Sequence, residues 1–353
     1  MILNIYFCKT IARFQILALA ILASIFLLLD LIERLNDVGI GSFSAFNAIQ
    51  VTILNAPYLI FDLLPSAFLI GSVIAIGSLI QSNELMVARA AGFTKYNLLS
   101  PLVFLSLAVS ILCFLTYQFL IPAMQTKAHK ISAKTIEGTA INSEQIWIKR
   151  KNEILSINNI SNHSQPQLIE IFTLDKTEKI TSIIRAEKAF ISEQNQWILF
   201  DVQAIKINSK GIKKSKNESL IWQGFINQNE YARLIIPPQA LSLSALINYL
   251  SNSDLISVGQ NLFRSELWKK LSLPITLIGM SLIALPIAGT AVTTRQQSRS
   301  NLLAGVCAML FFILHQTVSN FDKILGWPSS LSWTLPPIFI ILISLILIKK
   351  IRF

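Results

Sequence analysis

The sequence predicts an α-helical polytopic membrane protein with six transmembrane helices and an all-β, jelly-roll-like domain inserted between the third and fourth helices. Composition is the first reason: the 353 residues are 53% hydrophobic and only 14% charged, whereas soluble domains carry about 25% charged residues. The second reason is a set of apolar stretches close to the roughly 20 helical residues that cross a bilayer. The third is a polar middle region in which apolar and polar residues alternate, as in half-buried strands.

Three of the predicted spans precede the polar region and three follow it. The first is interpreted as an uncleaved helix, because its apolar run continues well beyond Ala18-Leu19-Ala20, which resembles a signal-peptidase site. Small residues in the second span, Gly71, Ala75 and Gly77, predict close packing against another helix. The six spans are Phe14 to Leu31, Pro57 to Ile80, Leu98 to Ile121, Leu271 to Val292, Leu302 to Val318 and Trp333 to Ile348.

The distribution of Lys and Arg among the short loops predicts the orientation in the membrane. Cytoplasmic loops are enriched in these residues, so the net charge of +11 is interpreted as a topology signal rather than as nucleic-acid binding. The opposite side holds Arg34 and Lys323, and Lys269 and Lys270 beside the fourth span count mildly against the assignment. Both termini are therefore predicted to be cytoplasmic, with the insert outside. The cytoplasmic basic residues are Lys9, Arg13, Arg89, Lys95, Arg295, Arg299, Lys349, Lys350 and Arg352.

Alternating runs of β-branched and aromatic residues define the insert. Such runs occur at 145–149, 153–157, 168–172, 197–201 and 204–207, and Asn, Ser, Gly and Lys separate them. Several short strands with almost no helical pattern indicate an antiparallel sandwich or jelly roll, with a hairpin tip at 210–217. The chain accordingly divides into residues 1–126 (helices one to three), 127–240 (the β domain) and 241–353 (a linker and helices four to six).

The motifs of common enzyme classes are missing from the sequence. It has no Gly-x-x-x-x-Gly-Lys-Ser/Thr stretch for nucleotide phosphates, no Gly-x-Ser-x-Gly elbow and no His-Glu-x-x-His pair. Asp62 and His315 are the only ionisable residues well inside the predicted spans, too few for a proton-driven pump. His315 is interpreted as a hydrogen-bond partner between helices, and the alternative role is a proton relay. We therefore expect a non-catalytic protein without a cofactor or a metal site.

The loop between the second and third spans, residues 81–97, predicts a short helix. Asn83 can cap its start, and Gly92 ends it just before the third span. Its predicted apolar face holds Leu85, Met86 and Ala90. One interpretation is an interfacial helix that only anchors the loop to the membrane. The other is a coupling helix that inserts into a groove on a soluble motor protein.

The sequence of this loop, Ser-Asn-Glu-Leu-Met-Val-Ala-Arg-Ala-Ala-Gly-Phe-Thr at 82–94, resembles the LptF/LptG permease family of the lipopolysaccharide ABC exporter. So does the order of three helices, an outer β domain and three helices. A second segment, Pro-Gln-Ala-Leu-Ser-Leu-Ser-Ala-Leu at 238–246, with Asn248-Tyr249 and Trp268-Lys269 beyond it, is more similar to the LptG branch than to the LptF branch. The resemblance covers essentially the whole chain.

The resemblance implies a permease subunit that pairs with an LptF-like second permease on an LptB-like ATPase dimer, which would hydrolyse the ATP. In this family, lipopolysaccharide enters between the permeases from the outer leaflet of the Gram-negative inner membrane. It then moves to periplasmic jelly rolls that continue into LptC- and LptA-like proteins. The chain would be a multi-pass inner-membrane protein whose periplasmic strands line an apolar slot for acyl chains.

The resemblance also assigns roles to residues of the 81–97 loop. Glu84 occupies the position of the coupling-helix glutamate that contacts the ATPase in the family. Arg89 lies one turn further along, and Leu85 and Gly92 belong to the same ATPase-coupling segment.

Lipid-binding residues are harder to transfer from the family. LptG proteins tend to carry several lysines at the outer end of the first helix, but residues 30–37 of this chain contain only Arg34 as a basic residue. Lys127, His129 and Lys130, just outside the third span, are the next candidates for contact with the lipid phosphates. The alternative role for these three residues is ordinary anchoring at the membrane interface.

A second class of function is a membrane-anchored scaffold or sensor whose periplasmic β domain binds a protein partner. The sequence contains no kinase or DNA-binding segment that would supply an output. This alternative is therefore weaker than the transporter subunit.

Overall fold

The computed structural model describes residues 2–136, 146–150, 152–159, 166–175, 179–191, 196–208, 211–224, 237–251, 256–257, 260–289, 294–319, 321 and 327–350. The chain divides into two compact units. The membrane unit comprises Met1–Asn36, Ala48–Met124 and Arg264–Phe353, and the β unit comprises Asp37–Asn47 and Gln125–Phe263.

Six of the described helices are long and apolar enough to cross a membrane, which confirms the six predicted spans. They are α1, α2, α4, α6, α7 and α8. Two short helices lie between them, α3 in the 81–97 loop and α5 after a 3-10 turn at Pro238–Ala240. The bounds are α1 Ile2–Leu35, α2 Ala45–Gln81, α3 Glu84–Ala90, α4 Lys95–Ile136, α5 Leu243–Ser251, α6 Gln260–Ala288, α7 Thr294–Ser319 and α8 Ser329–Lys350.

The helices extend beyond the apolar stretches that predict them. Hydropathy marks only the part of a helix that suits lipid, while the backbone hydrogen bonding continues until a residue breaks it. Helix α6 begins at Gln260, so Lys269 and Lys270 lie inside it rather than beside it. Helix α4 continues to Ile136, past the boundary predicted after residue 126. The predicted span end at Val292, and Lys323 and Arg352, lie outside the described residues.

Glycines on α2 allow the close helix packing that the sequence predicts. A methyl group added at Gly71 would lie 2.5 Å from Gln15 Cα and 2.8 Å from the Phe14 carbonyl oxygen, so α1 and α2 touch through their backbones. The Gln15 amide strengthens this contact by donating to Ser72 Oγ at 2.9 Å. Gly77 leaves room for the Gln297 side chain of α7.

A single apolar cluster, contributed by all the helices of the membrane unit, surrounds these contacts. Its fully buried members include Phe7 and Ile11 of α1 and Leu98 of α4. Polar pairs cross it as well: Ser106 of α4 and Ser281 of α6 are 3.0 Å apart and buried. Such pairs contribute to helix association in lipid, where apolar surface alone gives little driving force.

The described strands form one antiparallel sheet, which confirms the all-β insert. Neighbouring strands in the sheet follow the order β6-β5-β4-β3-β2-β1-β7, so β1 to β6 form a meander. The jelly-roll topology remains a prediction. The strands are β1 Ile146–Arg150, β2 Glu153–Asn159, β3 Gln167–Leu174, β4 Ile180–Ile191, β5 Gln196–Asn208, β6 Gly211–Gln223 and β7 Ile256–Ser257.

The hairpin tip predicted at 210–217 is wrong for most of its length. Strand β6 begins at Gly211, and its lysines pair with β5, for example Lys214 with Ile205. Among the described strands, β6 lies at one edge of the sheet, and lysines on an edge strand discourage pairing with other chains. The lysine run is therefore an edge-strand pattern rather than a turn.

The runs at 197–201 and 204–207 belong to one strand, β5.

The sheet buries one of its faces. Trp197 is fully buried and meets the Trp222 ring edge-on, with the ring centroids 5.7 Å apart. Leu199, Ile171 and Leu155 belong to the same cluster. This cluster is the apolar core of the β unit.

We predict that Gly71→Ala lowers the free energy of unfolding of the membrane unit by about 1–3 kcal/mol, because the added methyl group forces α1 and α2 apart. Gly305→Ala on α7 is the matched control, since nothing lies within 4 Å of the added atom. Unfolding of both variants in detergent, followed by circular dichroism, checks this. Equal stability of the two variants would contradict the close α1–α2 contact.

Candidate functional site

The short helix α3 in the 81–97 loop is the first candidate site. Asn83 precedes it with a left-handed backbone (φ 58°), and its side chain makes no capping hydrogen bond. The predicted Asn83 side-chain cap is therefore wrong, because this backbone turn carries the chain out of α2. The predicted end at Gly92 is confirmed: its φ is 85°, and its N–H donates to the Arg89 carbonyl at 2.9 Å.

Helix α3 presents two apolar sides. Leu85 and Ala88, one turn apart, are buried in the cluster of the membrane unit. Met86 and Val87 are 63% and 69% exposed, and Ala90 is exposed too. The predicted apolar face of Leu85, Met86 and Ala90 is therefore correct only for Leu85. The neighbouring helices determine which side of α3 is buried, and the pattern of apolar residues in a helix of seven residues is too short to show this.

The charged residues of α3 lie at its two ends. Glu84 is in the first turn and Arg89 in the last, so both charges interact favourably with the helix dipole. Both side chains are half-buried. The Glu84 carboxylate lies near the Tyr6 side chain of α1. Glu84 Oε2 is buried and has no hydrogen-bond partner among the described residues.

The candidate lipid-binding residues are divided between the two units. Arg34 of the membrane unit is half-buried and forms an ion pair with Asp30, one turn earlier on α1, at 2.8 Å. Lys127, His129 and Lys130 are exposed near the end of α4 in the β unit. Lys127 and Lys130, three residues apart, share one side of that helix.

Charged residues also form a cluster inside the membrane unit, which sequence reasoning missed. Lys269 of α6 donates to Asp62 at 2.8 Å and to the Tyr58 hydroxyl at 2.7 Å, both on α2. One residue further along α6, Lys270 is fully buried, with its ammonium 3.7 Å from Glu266.

Aromatic rings complete this cluster. The Lys269 ammonium lies 4.7 Å from the centre of the Tyr58 ring, and the Lys270 ammonium lies 5.2 Å from the centre of the Tyr117 ring of α4. Two cations therefore face two carboxylates and two phenol rings. Asp62 inside a predicted span was the available signal, because an acid in the membrane needs a partner.

His315 contacts a neighbouring helix through its ring, while its role as a hydrogen-bond partner between helices stays a prediction. Its ring meets the Trp333 indole of α8 edge-on, with the ring centroids 4.9 Å apart. The indole N–H of Trp333 in turn donates to Ser265 of α6 at 2.8 Å. His315 thus helps to connect α7, α8 and α6.

Comparison with known proteins bears on all of these sites. Residues 5–350 match the family described as lipopolysaccharide export system permease LptF/LptG. The chain belongs to this permease family. The lipopolysaccharide export system permease protein LptG of Haemophilus influenzae is 25% identical over 356 residues, covering 99% of this chain and 98% of the relative. LptG of Escherichia coli K12 is 26% identical over 361 residues, with the same two coverages.

The family assignment agrees with the architecture of a permease. Both relatives carry the name LptG, in agreement with the likeness to the LptG branch. The match covers the membrane helices and the β unit alike. The chain is therefore a multi-pass membrane permease of this family.

We predict that Lys269→Met lowers the free energy of unfolding by about 1–3 kcal/mol, because it leaves the partly buried Asp62 carboxylate without its charged partner. The double variant Asp62→Leu/Lys269→Met should regain most of this loss, since no charge then remains unpaired. Denaturation in detergent micelles measures both, with Lys9→Met, at an exposed position of α1, as the control. A double variant less stable than Lys269→Met alone would contradict the pairing.

Proposed function

We propose that this permease is the transmembrane subunit of an ABC exporter that extracts lipopolysaccharide from the outer leaflet of the Gram-negative inner membrane. Its partners in this proposal are an LptF-like second permease, an LptB-like ATPase dimer and LptC- and LptA-like periplasmic proteins. The chain itself would be non-catalytic, since its sequence lacks a phosphate-binding loop. A separate subunit must then supply the ATP hydrolysis.

The exposed side of α3 is the observation that carries this proposal. Met86 and Val87 point away from the membrane unit while Leu85 and Ala88 pack into it. A helix fixed on one side and apolar on the other suits insertion into a groove of a second protein. Glu84, Leu85, Arg89 and Gly92 are proposed as the ATPase-coupling segment, in which Leu85 holds α3 in the membrane unit while the exposed side of the helix meets the ATPase. In this proposal α3 and both termini are cytoplasmic.

The β unit is proposed to carry the acyl chains through the periplasm. Exposing a lipid chain to water costs about 0.8 kcal/mol for each methylene group, so an amphiphile with several chains needs an apolar surface for its whole path. The buried face of the sheet, with Leu199, Ile171 and Trp197, offers such a surface. Leu220 and Ile184 are partly buried and pack against this cluster, and we propose that the acyl chains reach the cluster there.

The phosphates of the lipid headgroup require cations in this proposal. Lys127 and Lys130 are exposed on one side of α4, beside His129, and are the better placed of the candidates. Arg34 is already paired with Asp30, so it would have to exchange that partner for a phosphate. We therefore propose that Lys127, His129 and Lys130 contribute more to headgroup binding than Arg34.

We predict that Glu84→Lys weakens binding of the ATPase to the purified permease dimer by at least about tenfold, because it replaces an attractive charge at the interface with a repulsive one. Surface plasmon resonance with the immobilised permease dimer measures the affinity. Glu218→Lys, an equal charge change at an exposed position of β6, is the control. Unchanged affinity for both variants would remove Glu84 from the interface and favour the scaffold alternative.

We predict that a benzophenone amino acid at Leu220 crosslinks to lipopolysaccharide during ATP-driven transport, whereas the same probe at Ile221 does not. The two neighbours lie on opposite faces of β6: Leu220 packs against the apolar cluster, and Ile221 is 71% exposed. Immunoblotting for lipid adducts after irradiation gives the result. Equal crosslinking at both positions, or none at Leu220, would count against this face as the lipid path.

A further inference from the structure

A row of polar residues crosses the sheet from β2 to β6. The strand register places each of them directly opposite the next, so their side chains share one face of the sheet. We call this set the polar row, and its members are Glu153, Thr173, Ser182, Lys206 and Lys213.

The polar row lies on the same face as the apolar cluster of the β unit. Two residues along each strand, a second row contains Leu155, Ile171 and Ile184, which again lie directly opposite one another. Leu155 and Ile171 belong to the cluster, and Ile184 packs against it. Residues two apart on a strand point to the same face. The apolar face of the sheet is therefore bordered by the polar row.

Two cations stand next to each other in the polar row. Lys206 of β5 lies directly opposite Lys213 of β6, and both are exposed. Like charges directly opposite each other weaken the pairing of two strands. The acid of the row, Glu153, lies on β2, three strands from β5, or about 14 Å at the usual strand spacing. Nothing within the row therefore neutralises the lysine pair.

Protection of the sheet edge does not account for this pair. Charges on β6 guard the edge, and Lys214 and Lys216 already provide them on the opposite face of that strand. Lys206 belongs to β5, which pairs with β4 on one side and with β6 on the other. A lysine at this inner position has no edge to protect, so its presence opposite Lys213 calls for an anionic ligand.

The chemistry of such a ligand follows from the two adjacent rows. Two ammonium groups, with the Ser182 hydroxyl beside them on β4, supply the donors that a phosphate accepts, and charged donors bind phosphate strongly. The neighbouring row, with Ile184 and Ala204, offers apolar surface to a hydrocarbon chain. A free phosphate would use only the donors. A phosphorylated lipid uses both rows at once.

We propose that Lys206 and Lys213 form a phosphate subsite for a phosphorylated, multi-acyl lipid whose chains lie along the adjacent apolar face. The subsite rests on the proposed function and deepens it, since it gives the lipid one orientation on the sheet. It adds to the candidates at the end of α4, because the headgroup meets these lysines only after its chains reach the sheet. The repulsion between the two lysines is relieved when the phosphate binds.

The experiment uses the complete exporter in lipid nanodiscs with a benzophenone amino acid at Ala204, half-buried and two residues from Lys206. Lipopolysaccharide adducts formed during ATP-driven transport are quantified by immunoblotting. Lys206→Gln/Lys213→Gln should lower the adduct yield at least about tenfold, the loss expected for one charge-assisted hydrogen bond. Lys214→Gln/Lys216→Gln removes the same charge from the other face of β6 and should leave the yield unchanged.

Two further arms separate a phosphate contact from a general loss of charge or of folding. The Lys206→Arg/Lys213→Arg variant keeps both charges and should retain most of the yield. With lipopolysaccharide stripped of its phosphates, the parent exporter and Lys206→Gln/Lys213→Gln should give equal yields, because the remaining contacts are apolar. Isothermal titration with inorganic pyrophosphate should show no binding that depends on the lysine pair.

Equal losses in the two glutamine variants would overturn the proposal, as would an undiminished yield in Lys206→Gln/Lys213→Gln. Pyrophosphate binding that this variant abolishes would assign the pair to a free phosphate instead. An adduct of the Ala204 probe with a protein rather than a lipid would make this face a protein interface. If the probe at Leu220 captures lipid and the probe at Ala204 does not, the subsite alone fails. If neither captures lipid, the proposed lipid path along the sheet fails as well.

Discussion

Polar contacts between α6 and the earlier helices are the interaction on which the membrane unit depends. In lipid, burying apolar side chains gives little driving force, so helices are held by close packing and by hydrogen bonds. The first three spans and the last three are separated by the whole β region of the sequence. Lys269 connects them through Asp62 and Tyr58, and Ser281 connects them through Ser106. The buried charges balance one another, so this connection leaves no net charge in the membrane unit.

The orientation of helix α3 depends on the packing of the membrane unit. A helix of seven residues is not stable alone in water, so α3 persists because Leu85 and Ala88 are held in the apolar cluster. Fixing those two residues exposes Met86 and Val87. It also brings Glu84 near the Tyr6 side chain of α1. The same packing therefore produces the outward apolar face and the proximity of Glu84 to the first helix.

Local composition accounts for the successes and failures of sequence-based prediction. Hydropathy predicted the six spans, and alternation predicted β1, β2, β3 and β5, because each signal depends on neighbours in the chain. Strand β6 was missed because its lysines resemble a turn, although they suit a sheet edge. Lys269 was assigned to an interface because a lysine at the end of an apolar stretch usually lies there. Its partner Asp62 is 207 residues away in the sequence.

By itself the sequence determined the class of protein, the number of spans, the inserted strands and the position of the loop helix. These features depend on whether each segment is stable in lipid, in water or in a half-buried sheet, and the local pattern of apolar and polar residues determines this. Only the tertiary structure decided which side of α3 is buried, what neutralises Asp62 and that Glu84 lies near Tyr6. Each of these is a contact between residues far apart in the chain, and its geometry is set by helices packing against one another. The sequence thus located the candidate site at helix α3, and the packing of the neighbouring helices determined which side of that helix is exposed.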